Sequence, residues 1–468
     1  MLPDDGRWRD LFSGKNAAIS IALSLGVVIH AVNILMATTI LPSVVEDIGG
    51  LNLYAWNTTL FVAASIVGSV FSARILSVYG ARVAYLLAVI VFFAGSLACT
   101  LAPRMDIMLL GRAVQGFGGG VMFALSYAMI NLVYVPALWP RAMALISGMW
   151  GVATLVGPAV GGIFAELNAW RYAFGVMLPL MVVYGLFLLT IMPKKQKTTE
   201  NEPGQRLPLI QLTLLTAAVL IVSAGSLSPD VTLNVFGVVA ALLLLILLAV
   251  VEQRSSSRLL PRNTFRRGSH HAALYITISL LAIGMTCEVF VPYFLQRLHG
   301  QSPLASGYMS ALMAAGWTVS EIISAGWKGA KMRASILLGP LFVLAGLVLL
   351  ALTLSVPSAG TWGIMSPILL GLSLVGFGIG FGWPHLLTRI LQVAAPEDKE
   401  VAAASITTVQ LFATALGAAL AGMIVNVNGF NDGTLTGVMS SAYWLMMLLA
   451  IAPLIAIFTS RRCAAISY

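Results

Sequence analysis

The sequence is poor in charge: only 9% of its 468 residues are Asp, Glu, Lys or Arg, while 59% are hydrophobic. Soluble domains carry about 25% charged residues, so a water-soluble globular protein is excluded. Cysteine is scarce as well. Cys99, Cys287 and Cys463 are odd in number and lack metal-ligand spacing, so neither a disulfide nor a metal site is expected. No G-x-x-x-x-G-K-[ST] phosphate loop occurs, so an ATP-driven pump would need a separate ATPase subunit. No nucleophile and base set is legible, and neither an enzyme nor a cofactor is expected. The longest non-apolar segments, about 193–207 and 252–269, are too short for a folded soluble domain.

What the chain has in abundance is apolar sequence, with a mean hydropathy of +0.94. A helix crossing a bilayer needs about 20 mostly apolar residues. Reading apolar runs between charges, Pro and Asn gives about fourteen such helices. They fall near 16–41, 54–79, 83–102, 106–134, 140–165, 171–192, 208–226, 232–251, 270–298, 303–327, 334–355, 362–391, 398–426 and 437–460. The runs do not alternate with polar residues as barrel strands do. An all-α polytopic membrane protein is therefore expected. The first apolar run lacks a small-residue cleavage site and reads as an uncleaved spanning helix.

The formal charge of +9 is spread over short loops rather than one face, so no nucleic-acid partner is expected. Topology accounts for it better. With the N-terminus in the cytoplasm, the inner segments hold Arg7, Arg9, Lys15; Arg74, Arg82; Arg141; Lys194, Lys195, Lys197, Arg206; Arg254, Arg258, Arg262, Arg266, Arg267; Lys328, Lys331, Arg333; Arg389, Lys399; and Arg461, Arg462. Only Arg104, Arg171 and Arg297 lie outside, and Arg112 lies within a helix. The positive-inside rule thus supports both the helix count and cytoplasmic termini.

An internal repeat organises the chain. LLGRAVQGFGGGV (109–121) aligns with LLGLSLVGFGIGF (369–381), and the same offset aligns LVGPAVGGIF (155–164) with ALGAALAGMI (415–424) and Pro136 with Pro396. Two consecutive helices matching at one offset imply two homologous six-helix halves, 14–193 and 268–462, with 194–267 a linker carrying two inserted helices. Parallel repeats of this kind place substrate near the bilayer midplane between the halves.

These residues resemble the major facilitator superfamily, and within it the 14-helix drug:proton antiporter branch. LLGRAVQGFGGG (109–120) is similar to the family's fourth-helix motif, with Arg112 at its intramembrane arginine. GMWGVATLVGPAVGG (148–162) is similar to the antiporter motif of helix five, matching at Gly148, Gly151, Gly157, Pro158, Gly161 and Gly162. WRYAF (170–174) and TTILPSVVEDIGG (38–50) resemble the start of helix six and the end of helix one. Two carboxylates of the family pattern are missing. Asn33 stands where multidrug exporters usually carry Asp, nine residues before Pro42. In ARILSVYGAR (73–82), Ser77 replaces the Asp linked to cytoplasmic gating, Val78 and Ala81 replace arginines, and Gly80 and Arg82 remain.

Ionisable groups at bilayer depth cost at least about 2.5–3.5 kcal/mol on insertion scales, which makes them candidates for function. In the family the residue equivalent to Arg112 is linked to proton coupling; the alternative is an arginine tying helix four to helix one through backbone carbonyls. Glu288 is the most central carboxylate of any expected helix, a candidate to carry the proton or bind a cationic substrate, or else a neutral lock between helices. Glu321 suits coupling or an ion pair with Lys328 and Lys331 near an inner gate. His30 shares a helix face with Asn33 and titrates near physiological pH, so it could replace the missing Asp or simply pack. His385 reads as structural.

The glycines of 148–162 with Pro158 allow close packing and a kink. Such a helix could press against its repeat mate and seal one side. Asn33 and Glu288 are the candidate lining of a substrate cavity. The resemblance implies a secondary transporter of a bacterial cytoplasmic membrane that exports small amphipathic or hydrophobic compounds in exchange for protons by alternating access, as a monomer among membrane lipids. The missing carboxylates keep a second reading open: a facilitator, lipid translocator or importer with different coupling.

Overall fold

A computed structural model describes residues 8–135, 138–193, 207–228, 230–262, 264–266 and 268–466. Arg7, Pro136, Lys194, Lys195, Lys197, Arg206 and Arg267, used above, lie outside the described residues.

The described chain is helical with no strand. In hydrocarbon no water can satisfy backbone N–H and C=O groups, so each apolar run must close its own hydrogen bonds as a helix. The helices are α1 (Gly14–Ile48), α2 and α3 (Trp56–Leu101, divided at Gly80), α4 (Met105–Val133), α5 (Trp139–Glu166) and α6 (Trp170–Ile191). There follow α7 (Leu209–Gly225), α8 (Val231–Arg254), α9 (His270–His299), α10 (Pro303–Ser324), α11 (Gly329–Thr353), α12 (Trp362–Val393), α13 (Lys399–Val427) and α14 (Leu435–Ala464). Eleven described segments are long and apolar enough to cross a membrane. One of these holds both α2 and α3, and α7 (17 residues) and α10 (more polar) complete the expected set. The protein is an integral membrane protein.

Polar side chains start several helices. Asp230, Ser269, Ser302 and Thr434 accept from the backbone N–H of Thr232, Ala272, Ala305 and Gly437, satisfying donors that a helix start leaves open. Gly80 has φ 78° and ψ 168°, a conformation essentially reserved for glycine. It lets α2 turn into α3 without a loop. Arg82, just beyond, donates to the Met192 carbonyl at 2.8 Å, capping the end of α6 with a cation. Ser77 bonds back to the Arg74 carbonyl at 2.9 Å.

Three expectations are corrected. Residues 270–298 do not form one continuous helix: a 3-10 turn, Thr286–Val289, interrupts α9 ahead of Pro292, because proline has no N–H to continue the ladder. The first helix runs to Ile48, well past 41. Arg389, counted with the cytoplasmic loops, is buried within α12 at 1% exposure.

The chain divides into two compact units, Met1–Ser43 with Leu60–Leu207, and Val44–Thr59 with Pro208–Tyr468. In the first, α4 touches three helices through glycines. A Cβ on Gly116 or Gly120 would strike the backbone of Phe61 or Ser65 in α2; one on Gly118 would lie 2.6 Å from Phe92 N in α3; one on Gly119 would lie 2.6 Å from His30 Nδ1 in α1. In the second unit α12 repeats this use. Gly376 and Gly380 abut Met313 and Trp317 of α10, and Gly371 and Gly378 abut Leu350 and Gly339 of α11. Small residues allow this backbone approach. The inserted pair α7 and α8 pack together, and α7 packs on α13, where Asn426 donates to the carbonyls of Ser226 (2.9 Å) and Asn52 (3.2 Å).

Candidate functional site

Arg112 sits in α4 where the glycines draw α1, α2 and α3 close, and it is only 1% exposed. Its Nη1 donates to Asn33 Oδ1 of α1 and, at 2.8 Å, to Gln115 Oε1. Its guanidinium lies 4.1 Å from the centre of the Phe61 ring, a cation–π contact. Gln115 Nε2 donates to Ser96 Oγ at 2.8 Å, and Cys99 Sγ lies 3.6 Å from Gln115 Oε1. Neutral amides therefore meet the charge. The tie from α4 to α1 runs through the side-chain amide of Asn33, and not through the backbone carbonyls of the alternative reading.

His30 lies one turn before Asn33, stacked against Phe61 and tilted against Phe123, both at 5.3 Å. It is 2% exposed, and Asn33 is fully buried. The structure thus brings together His30, Asn33 and Arg112, three of the residues singled out from sequence. Gln115, Ser96 and Cys99 were missed. Gln115 follows Arg112 at i+3 on one helix face and carried a usable signal; Ser96 and Cys99, on another helix, carried none.

Glu288, Glu321 and His385 belong to the second unit. Glu288 occupies the 3-10 turn of α9, half-buried, and no side-chain hydrogen bond to its carboxyl is found among the described residues. Its neighbour Phe290 packs at 5.0 Å on Tyr54, within an aromatic cluster that includes Tyr293 and Phe430. Glu321 accepts from the Trp317 indole at 3.0 Å; that bond, and not an ion pair with Lys328 or Lys331, is its described contact. His385 bonds to the Ser324 carbonyl at 2.9 Å, in keeping with a structural role.

Helix α5 divides along its length. Gly157 and Gly161 press on α1, where a Cβ would come within 2.6 Å of Leu35 Cβ and 2.8 Å of the Met36 carbonyl. Pro158 and Gly162 are buried beside them. Gly148 and Gly151 face open space, with nothing within 4 Å of a Cβ.

A family model described as Major Facilitator Superfamily matches residues 23–421. The chain belongs to the major facilitator superfamily. Members are membrane transporters of small molecules rather than enzymes. Solved major facilitator structures share the fold: a D-xylose–proton symporter aligns with TM-score 0.67 and 14% identity over 95% of this chain and 97% of its own. A bacterial homologue of the human lysosomal transporter Spinster aligns with TM-score 0.63 and 13% identity over 96% and 98%. Among curated superfamily proteins, a "Probable multidrug-efflux transporter" of Mycobacterium tuberculosis is 38% identical over 434 residues, 90% of both chains. "Multidrug resistance protein 3" of Bacillus subtilis is 21% identical over 90% of this chain and 83% of its own.

Proposed function

We propose that this transporter exports small amphipathic or hydrophobic compounds across a bacterial cytoplasmic membrane by alternating access, in exchange for protons. The observation that carries the reading is the 38% identity, over nine-tenths of both chains, to a protein named as a multidrug-efflux transporter. In this reading 14–193 and 268–462 are the transporting halves, 194–267 is the linker with its inserted helices, the monomer is the working form, and both termini lie in the cytoplasm.

Glu288 is the proposed proton carrier. A half-buried carboxyl without a fixed partner can take up and release a proton without breaking the scaffold, and when ionised it attracts a cationic substrate. Protonated, it no longer holds that charge, so proton and cationic substrate compete for one group and proton entry promotes substrate release. His30 and Arg112 are proposed to set the local charge in the first unit, and Glu321 to act as a secondary proton site through its bond to Trp317. Gly157, Pro158 and Gly161 hold α5 on α1, and the open Gly148 and Gly151 are proposed to leave that end of α5 free to move. Gly80 and Arg82 form the gating turn.

A second reading, a facilitator, lipid translocator or importer with different coupling, draws on one contact: Arg112 meets the amide of Asn33, where a carboxylate would be expected in a proton-coupled exporter. The deciding experiment is reconstitution in liposomes with an imposed pH gradient and a fluorescent lipophilic cation. Uphill, uncoupler-sensitive movement is expected. Movement only down the compound's own gradient would exclude antiport and leave the facilitator reading.

A further inference from the structure

Arg112 carries a full positive charge at bilayer depth, and no carboxylate contacts it among the described residues. A buried charge without an opposite charge costs several kcal/mol, and amides and an aromatic ring offset only part of it. Two buried nitrogens of the bonded pair have no hydrogen-bond partner among the described residues, Arg112 Nε and Asn33 Nδ2, while the unpartnered His30 Nδ1 is turned onto Gly119. Both of the first two are donors in every protonation state.

The three side chains share one environment. Arg112 and His30 both lie on the Phe61 ring, Asn33 holds the guanidinium, and His30 and Asn33 are one turn apart on α1. A cation with spare donors and no carboxylate has the chemistry of an anion site. Phe61, Phe123 and the close-packed glycines of α4 surround it with apolar surface, which suits a small, weakly hydrated monovalent ion over a multivalent one.

We propose that Arg112 and Asn33, through Arg112 Nε and Asn33 Nδ2, bind a small inorganic anion of the halide class, which supplies the negative charge that this chain does not provide itself. The proposal concerns the resting protein and is read without transport, so it stands or falls separately from the proposed export.

The test uses the purified full-length protein in gluconate and in chloride at equal ionic strength, with melting temperature and retention of radiolabelled chloride as readouts. Chloride is expected to raise Tm by about 3 °C or more in the wild type, since a ligand bound only by the folded state stabilises it, and to be retained at about one equivalent. Asn33→Asp places a carboxylate beside Arg112 while keeping the arginine. It is expected to lose both chloride effects and to melt in gluconate at least as high as the wild type. No chloride-specific rise or retention in the wild type, as for a site filled by water, overturns the proposal. An equal rise in Asn33→Asp also overturns it, because it would mark a general salt effect.

Discussion

Arg112 of α4 donates to the side-chain amide of Asn33 of α1, so a charged and a neutral residue 79 positions apart form one buried bond. The pair joins the two helices at the point where His30 and Phe61 also meet.

Removing the guanidinium strands that site. Arg112→Ala leaves the Asn33 Oδ1 acceptor without its donor and Gln115 Oε1 with only the weak Cys99 thiol, and a buried neutral acceptor left unsatisfied costs about 1–3 kcal/mol. The variant is expected to melt markedly lower than wild type and to transport poorly, while Arg297→Ala, at an exposed position, stays near wild type in both assays. Equal, mild effects of the two changes would deny Arg112 any special place.

Glu288→Gln keeps shape and removes the ionisable proton. Purified and reconstituted, it is expected to keep the wild-type Tm within about 1 °C, consistent with a side chain that makes no hydrogen bond to its surroundings. Uphill transport driven by a pH gradient should be lost. Retained uphill transport would take Glu288 out of the coupling.

The glycine contacts of α4 and α12 predict a matched pair of lesions. Gly116→Ala and Gly376→Ala each drive a methyl into the backbone of a neighbouring helix, Phe61 and Met313 respectively, and overpacking costs about 1–3 kcal/mol. Gly148→Ala meets open space and is expected to leave Tm unchanged. Thermal melts in one detergent compare all three, and a drop for Gly148→Ala equal to the others would break the argument.

Gly80→Ala tests the turn between α2 and α3. With φ at 78° and ψ at 168°, a Cβ there is strained by about 1–3 kcal/mol. A lowered Tm is expected, with faster proteolysis at the 74–82 segment. Unaltered Tm and proteolysis would show that the turn can adopt another conformation without cost.

The helices were legible because the bilayer leaves an apolar run only one way to satisfy its backbone, and the charges between runs mark the boundaries. The α4 motif also pointed to Arg112, but its partners were only partly readable. Asn33 could be marked as a departure from pattern, yet its bond to Arg112 depends on α1 and α4 packing side by side, which composition does not encode. Pro292 marks the break in α9, and a hydropathy reading passes over it because the apolar residues on either side outweigh Thr286 and Glu288 in the turn. The glycines of α5 look alike in sequence. Only the packing separates Gly157 and Gly161, held against α1, from Gly148 and Gly151 in open space.

Because Gly116, Gly118 and Gly120, like Gly376, Gly378 and Gly380, meet their neighbours at or beside the main chain, the spacing of α2, α3, α10 and α11 around the two central helices is fixed largely without side-chain identity. Residues on the other faces of those helices are then free to vary in size and polarity without disturbing the frame. A transporter built this way can drift in what it recognises through single substitutions, while the glycine positions themselves tolerate almost none.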